Sequence, residues 1–296
     1  ESNMIKYKQL ILLILALVPA MFTHAHDKAG NSPKAQTGQK APLLSVQLWS
    51  VKELVKTDFK NTLKQLSDMG FSAVELAGEF GPFQGDAAGL KAYLDSLNLK
   101  VSGAHVPFEA LNGKNFKQTL AFYRQLAPDT LIIGWDERAW HPEGIKEVVG
   151  LLNQLDKQLA PYNIKTGFHN HDQEFNEFQG TTYWDYLATH TASSVVLQQD
   201  VGWTTYAGKD PVDYVKKYPG RTFTTHYKVR LPEGVKGKLP IIGQDTIDWL
   251  ALLKANISVG GTKWIVIEQE EYPNGLTPLA AVAQSKKGLE HYIRQL

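Results

Sequence analysis

The feature that most constrains this chain is a rhythm: eight times between residues 44 and 296 a short apolar run gives way to a longer amphipathic one. The runs at 44–49, 71–76, 100–105, 130–134, 165–169, 195–200, 221–228 and 264–268 read as strands. The stretches at 51–69, 87–97, 116–126, 142–162, 184–190, 211–218, 246–256 and 278–295 read as helices. In the first of these Leu54, Phe59, Leu63 and Leu66 recur at helical spacing, and Gly70 follows where a left-handed residue ends a helix. Strands alternating with helices build a parallel sheet. Eight such units in the 255 residues from 42 to 296 have the size of an α/β (β/α)8 TIM barrel, here a single catalytic domain.

The first forty residues stand outside that rhythm. Lys6 and Lys8 precede an almost uninterrupted apolar run at 10–22, and Thr23-His24-Ala25 places small residues where signal peptidase reads. Residues 1–25 are expected to be a cleaved secretory signal peptide, with Glu1-Ser2-Asn3 a remnant ahead of Met4. Its apolar core is too short for a comfortable membrane span. A chain without cysteine has neither a lipoprotein anchor nor a disulfide framework. Residues 26–41, rich in Gly, Ser, Pro, Lys and Gln, read as a disordered leader. The expectation is a periplasmic or secreted protein with no stable membrane anchor. Formal net charge is +1, and removing residues 1–25 takes away two lysines and one glutamate, leaving the remainder neutral. A neutral chain without a basic run argues against a nucleic-acid partner. A homo-oligomer is left open.

In a barrel of this kind the C-terminal strand ends surround the active site. Polar residues gather at those ends: Gln47, Trp49, Glu75, His105, Trp135, Asp136, His169, His171, Asp200, His226, Lys228, Glu268 and Glu270. His169 and His171 sit in Lys-Thr-Gly-Phe-His-Asn-His-Asp-Gln-Glu-Phe at 165–175 and point to one side if the strand continues through both. Imidazole is the commonest ligand for transition metals, and Asp172 and Glu174 lie close by. Asp200, His226 and Glu268 then lie at the ends of three later strands. One ligand-type residue per strand–helix unit is the strongest functional signal in the sequence.

From residue 44 to the end the chain resembles the sugar phosphate isomerase/epimerase family of xylose isomerase-like barrels, a group that also holds inosose dehydratases, ketose epimerases and endonuclease IV. The resemblance is carried by Gly-Phe-Ser-Ala-Val-Glu-Leu at 70–76, Gly-Phe-His-Asn-His-Asp-Gln-Glu-Phe at 167–175 and Gln-Asp-Val-Gly-Trp at 199–203. Ala-Gly-Lys-Asp-Pro-Val at 207–212, Gly-Arg-Thr-Phe-Thr-Thr-His-Tyr-Lys at 220–228 and Ile-Val-Ile-Glu-Gln-Glu at 265–270 add to it. It implies one divalent metal (manganese, cobalt, zinc or magnesium) held by the last four strands. Asp200, His226 and Glu268 match three of the ligand positions, and His169 takes the fourth, where ketose epimerases carry glutamate. In those epimerases two facing glutamates shuttle the proton, so the symmetric mechanism does not carry over. Lys228-Val229-Arg230 departs from the Lys-Asp that many relatives have after the metal histidine, and residues 231–244 read as a loop lining the site.

A metal with open positions chelates adjacent hydroxyl and carbonyl oxygens of a sugar and stabilises the enediolate left when a neighbouring C–H proton departs. A base is then required. Glu268 would be ligand and base; His171, Glu174, His105 and Glu75 are further candidates. Reprotonation gives isomerisation or epimerisation, and expulsion of a neighbouring substituent gives elimination. Each residue also has a structural reading. His105 is a hydrogen-bonded histidine, Glu75 a partner of a basic neighbour, His171 an orienter of His169 or substrate, and Glu174 a cap. Trp49, Trp135 and Trp203 are packing or a wall against the C–H face of a sugar, with Trp49, Trp203, Lys228 and Glu270 the expected substrate-binding set. Export, and the lack of an arginine cluster or phosphate loop, point to an unphosphorylated sugar or a keto-glycoside. The expected protein is an exported metal-dependent isomerase or epimerase. The alternatives are a 3-keto-glycoside lyase or hydratase and a non-catalytic carbohydrate-binding barrel. An endonuclease is disfavoured by neutral charge and too few histidines.

Overall fold

In the computed structural model, which describes residues 41–296, the eight apolar runs form a ring of parallel strands. The expected signal peptide, and all but the last residue of the expected leader, lie outside the described residues. The first five strands are β1 Leu43–Gln47, β2 Ala73–Leu76, β3 Lys100–His105, β4 Thr130–Ile133 and β5 Lys165–His169. A small hairpin, β6 Glu177–Phe178 and β7 Thr181–Thr182, precedes β8 Val196–Gln198, β9 Thr224–Tyr227 and β10 Trp264–Ile267. The barrel order is β8-β5-β4-β3-β2-β1-β10-β9.

The last seam, β8 against β9, has no continuous ladder. It is closed by the single parallel bridge Asp200↔His226 and by backbone N–H groups of Leu197 and His226 donating to the carbonyls of Arg221 (2.8 Å) and Gln199 (2.9 Å). The thinnest seam of the barrel therefore carries two of the expected metal ligands.

The main apolar core fills the space between strands and helices, with Leu63, Leu66, Leu90, Leu152 and Leu252 fully buried. A smaller apolar cluster of Ala73, Trp264 and Val266 is separate from it. Two residues further along the strand from Ala73, the buried side chains turn polar: Gln47 faces Glu75 across the β1–β2 pair. Such polar groups survive burial only with partners, and here they form a layer beneath the floor of the site. Among the described residues no helix is long and apolar enough to cross a membrane.

Three expectations are corrected. The helix expected at 51–69 is two helices, α1 Lys52–Thr57 and α2 Phe59–Asp68. Asp58 leaves helical geometry (φ −148°) and caps α2 by accepting the N–H of Asn61. The first strand stops at Gln47, whose side chain accepts the N–H of Trp49 and starts a 3-10 turn. The sixth barrel strand stops at Gln198, and an unforeseen short helix, Val201–Tyr206, begins directly after Asp200.

Candidate metal centre and active-site cavity

A cavity of about 550 Å³ opens at the C-terminal ends of the strands. Of the expected site residues, Trp49, His105, His169, His171, Trp203, Lys228, Glu268 and Glu270 line it, together with Trp135. The 231–244 segment, expected to line the site, contributes no residue to this lining. It packs to one side instead, with Ile241 and Ile242 buried and the Pro240 carbonyl accepting from Gln269 Nε2 at 2.7 Å.

At the floor, ligand atoms of His169, Asp200, His226 and Glu268 all fall within 4.8 Å of one another, and all four residues are buried. His226 Nδ1 is 3.0 Å from Glu268 Oε2, and His169 Nε2 is 3.7 Å from Asp200 Oδ2. Each comes from a strand end. His169 closes β5, His226 lies on β9 at the thin seam, and Glu268 follows β10. Asp200 caps the Val201–Tyr206 helix, so Oδ1 accepts the Trp203 N–H at 2.8 Å. That leaves Oδ2 buried without a hydrogen bond. Two imidazole nitrogens and two carboxylate oxygens suit zinc, manganese or cobalt, and Asp200 Oδ2, an ion-pair neighbour of Lys228 at 3.1 Å but without a hydrogen bond, keeps a lone pair for a cation. The residues present therefore fit a divalent metal. A second grouping, His105 with His169 and His226, also lies within 4.8 Å but has no carboxylate.

Charge around this floor is tightly set. Lys228 Nζ stands 2.6 Å from Glu270 Oε2, 3.2 Å from Glu268 Oε2 and 3.1 Å from Asp200 Oδ2. Burial works against the ammonium, but those three carboxylates outweigh it and raise its pKa. Glu268 is held well below the ordinary carboxylate range: burial opposes this, and Lys228 and His226 override it. Asp200 is pushed up to about 6 by burial, with Lys228 pulling the other way. His226 is lifted to about 10, because Glu75 and Glu268 overcome its burial. Burial keeps His105 and His169 below their usual value and, with Lys228, takes His171 down to about 3. Three neutral imidazoles thus stand beside one cationic one, and His226 would have to release its Nδ1 proton to ligate a metal.

No family model matches the chain. A curated relative, inosose dehydratase of Clostridium botulinum (strain Alaska E43 / Type E3), is 24% identical over 297 residues, covering 88% of this chain and 95% of that protein. A sugar phosphate isomerase/epimerase from Parabacteroides distasonis superposes with a TM-score of 0.71 at 19% identity, covering 90% of this chain and all of the other. The IolI protein, solved with a bound zinc atom, superposes at 0.63 with 17% identity, covering 86% of this chain and 98% of the other. The fold is that of the xylose isomerase-like TIM barrels.

Two expected reacting groups of this xylose isomerase-like barrel stand away from the cavity. Glu75 is fully buried beneath the floor and absent from the lining. It accepts from Gln47 Nε2 and Gln198 Nε2, both at 2.8 Å, and from His226 Nε2 at 2.5 Å. It pairs with a basic neighbour and touches no substrate space. Glu174 is buried in the 3-10 turn Gln173–Phe175, where Oε2 accepts the backbone N–H of His171 at 2.8 Å. Burial pushes its carboxyl up to about 8. It supports the His171 backbone and does not reach the cavity.

His171 lies beyond the end of β5, so strand geometry does not persist, yet its ring still lines the cavity. The ring stands 4.7 Å from Trp135, 5.5 Å from Trp203 and 5.1 Å from His169. Trp49 Nε1 donates to Glu270 Oε1 at 3.1 Å and so joins the rim to Lys228. The sequence reading missed Gln198, fully buried between Glu75, His105 and His169. The signal for it was its place in the sequence, at the end of the strand two residues before Asp200.

Proposed function

We propose that this protein is an exported, divalent-metal-dependent enzyme that removes a proton from the carbon beside the carbonyl of an unphosphorylated sugar or keto-sugar. Isomerisation or epimerisation is the outcome. The observation that carries this reading is the convergence of His169, Asp200, His226 and Glu268, of which His169 and Glu268 line the open cavity and Asp200 and His226 lie just behind them. The carbohydrate enzymes among the similar proteins, and the zinc in one of them, support it.

A bound cation would supply Lewis acidity to the substrate oxygens. The chain's own groups do the rest. Lys228 keeps its proton and, from the cavity wall, places a positive charge beside the oxygen on which charge develops. Neutral His105 and His171 present lone pairs beside the cavity, and Glu268 is a permanent anion there. Among these three lies the acceptor of the carbon-bound proton. Returning that proton to the former carbonyl carbon, as the hydroxyl proton passes to the other oxygen, isomerises the sugar; delivery of a proton to the opposite face of the same carbon by a second of these groups epimerises it. A phosphate dianion would meet Glu268 and Glu270 on the wall, with the Lys228 ammonium already shared between them. This favours an unphosphorylated substrate.

The test is metal analysis of the purified protein and a His226→Ala variant, with proton NMR of free ketoses in heavy water. One tightly held divalent metal, lost in the variant, and deuterium appearing beside the carbonyl are the expected results. A site that stays empty after manganese, cobalt and zinc are supplied leaves a carbohydrate-binding barrel as the better reading.

A second reading is favoured by the mouth. Trp49 and Trp135 are 43% and 54% exposed and line the same cavity. A hexose occupies on the order of 200 Å³ at condensed-phase packing, so about 550 Å³ leaves room for a second ring. On a 3-keto glycoside, loss of the proton beside the ketone would expel the glycosidic oxygen with its bonding electron pair. That oxygen then takes up a proton, which makes the enzyme a lyase. Metal-loaded protein that leaves 3-keto glycosides intact while exchanging free ketoses removes this reading.

A further inference from the structure

A carboxylate only accepts hydrogen bonds. Glu75 Oε1 lies 2.8 Å from one end of the Gln198 side chain, so that end is the amide NH2. The other end is the carbonyl oxygen, and it lies 2.7 Å from His105 Nε2 and 3.1 Å from His169 Nδ1. A carbonyl oxygen also only accepts, so both of those ring nitrogens carry protons. A neutral imidazole has one proton. The lone pairs therefore fall on His169 Nε2 and His105 Nδ1. The first is the nitrogen that faces Asp200 Oδ2 within the four-residue cluster. The second lies against Gly134 at the cavity wall, where a Cβ on residue 134 would come within 2.4 Å of it.

We propose that Gln198 is a positioning residue: its amide, aimed by Glu75, locks His169 with Nδ1 protonated and Nε2 open, and His105 with Nε2 protonated and Nδ1 open. Glu75 acts on His226 directly, because His226 Nε2 meets Glu75 Oε2 and leaves Nδ1 toward Glu268. One buried carboxylate thus orders three imidazoles, two of them through a single amide. No charge moves in this arrangement. It is a fixed sequence of donors and acceptors, and Gln198 is the link that converts one acceptor into the acceptor for two rings.

The consequence for metal binding rests on the metal-centre reading above; the tautomers themselves do not. The test uses protein labelled with nitrogen-15 at histidine, stripped with a chelator, whose ring-nitrogen shifts report each tautomer, followed by zinc titration calorimetry. Two variants are compared with the parent. Gln198→Met keeps the volume and removes both hydrogen-bonding ends. Gln198→Glu faces Glu75, and two carboxylates so close retain a shared proton. The neutral Glu side chain then donates O–H to Glu75 and accepts from both rings.

The parent is expected to show His169 protonated on Nδ1 and His105 on Nε2. In Gln198→Met both rings become tautomer mixtures, and zinc affinity falls by about 10–100-fold, the usual effect of losing a ligand-orienting partner. Gln198→Glu recovers the parent tautomers and most of the affinity. A folded Gln198→Met variant with parent tautomers overturns the proposal, as do opposite tautomers in the parent. Parent tautomers, lost in Gln198→Met, with no zinc bound by any of the three proteins would uphold the lock and sink the metal reading instead.

Discussion

Lys228 Nζ lies 2.6 Å from Glu270 Oε2 at the rim and 3.2 Å from Glu268 Oε2 at the floor, so one ammonium spans the depth of the cavity wall. Its side chain is only 3% exposed, and solvent does little to screen the pairs. Replacing it in Lys228→Met leaves Asp200 and Glu270 without their ammonium partner and Glu268 with His226 alone. Breaking a buried ion pair costs about 3–5 kcal/mol, and that loss is expected in thermal melts with chelator present. A divalent cation supplies the missing positive charge, so zinc should raise the melting temperature more in the variant than in the parent. Equal melting temperatures in chelator would show that Lys228 is not what holds the carboxylates together.

Glu174 makes stability depend on pH in a definite direction. Burial raises its carboxyl from 4.5 to about 8, so the folded state holds a proton that the unfolded chain releases. The stabilising contribution is complete below about pH 4.5 and is lost as pH rises through about 8. Glu174→Gln still offers an oxygen to the His171 N–H and does not titrate. Urea unfolding at pH 5 and pH 8 should show the parent losing on the order of 3 kcal/mol relative to the variant. Parallel behaviour of the two proteins would mean that Glu174 is already ionised in the fold.

The strand ends were legible because alternation fixes where each apolar run ends: His169, Asp200 and Glu268 close theirs, and His226 lies two residues before the end of its run. The network beneath them was not. Gln47, Glu75 and Gln198 meet only after the barrel closes, 28 and 123 residues apart, and no local pattern marks a hydrogen bond across that distance. This is why Glu75 read as a reacting group when it sits below the cavity. The helix break at Asp58 had a local sign, a capping residue inside an apolar period, but the period dominated the reading. The helix after Asp200 is only six residues long, and a run of that length has no periodicity to detect.

Gly167 is required by the close approach of β5 and β8. A Cβ there would lie 2.0 Å from the Val196 carbonyl oxygen, which is backbone and cannot rotate away. Gly167→Ala should therefore cost at least ~1–3 kcal/mol, the range for overpacking a tight interior. It should also weaken metal binding, because His169 follows two residues later on the same strand. Gly150, exposed on the helix Gly144–Leu159 with nothing within 4 Å of an added Cβ, is the contrasting site. Gly150→Ala should stabilise by about 0.5–1 kcal/mol through helix propensity. Chemical denaturation of both variants checks the pair, and a tolerated Gly167→Ala would mean the two strands are further apart than described.

Trp135 separates the two readings of the substrate. Its ring is 54% exposed and touches the site through His171 at 4.7 Å and Trp140 at 4.9 Å, so Trp135→Ala should fold with little loss of stability. If the outer half of the cavity holds a second sugar ring, the indole contacts that ring and not the one undergoing proton loss. An aromatic contact of this kind contributes about 0.5–1.5 kcal/mol, which is roughly a 2- to 12-fold rise in KM at 25 °C. That rise is expected for a keto-glycoside alone, with kcat unchanged and the KM of a free ketose unaffected. Steady-state kinetics on both substrates decides the matter. An equal rise on both would place Trp135 against the reacting ring, and the spare volume of the mouth would then belong to solvent.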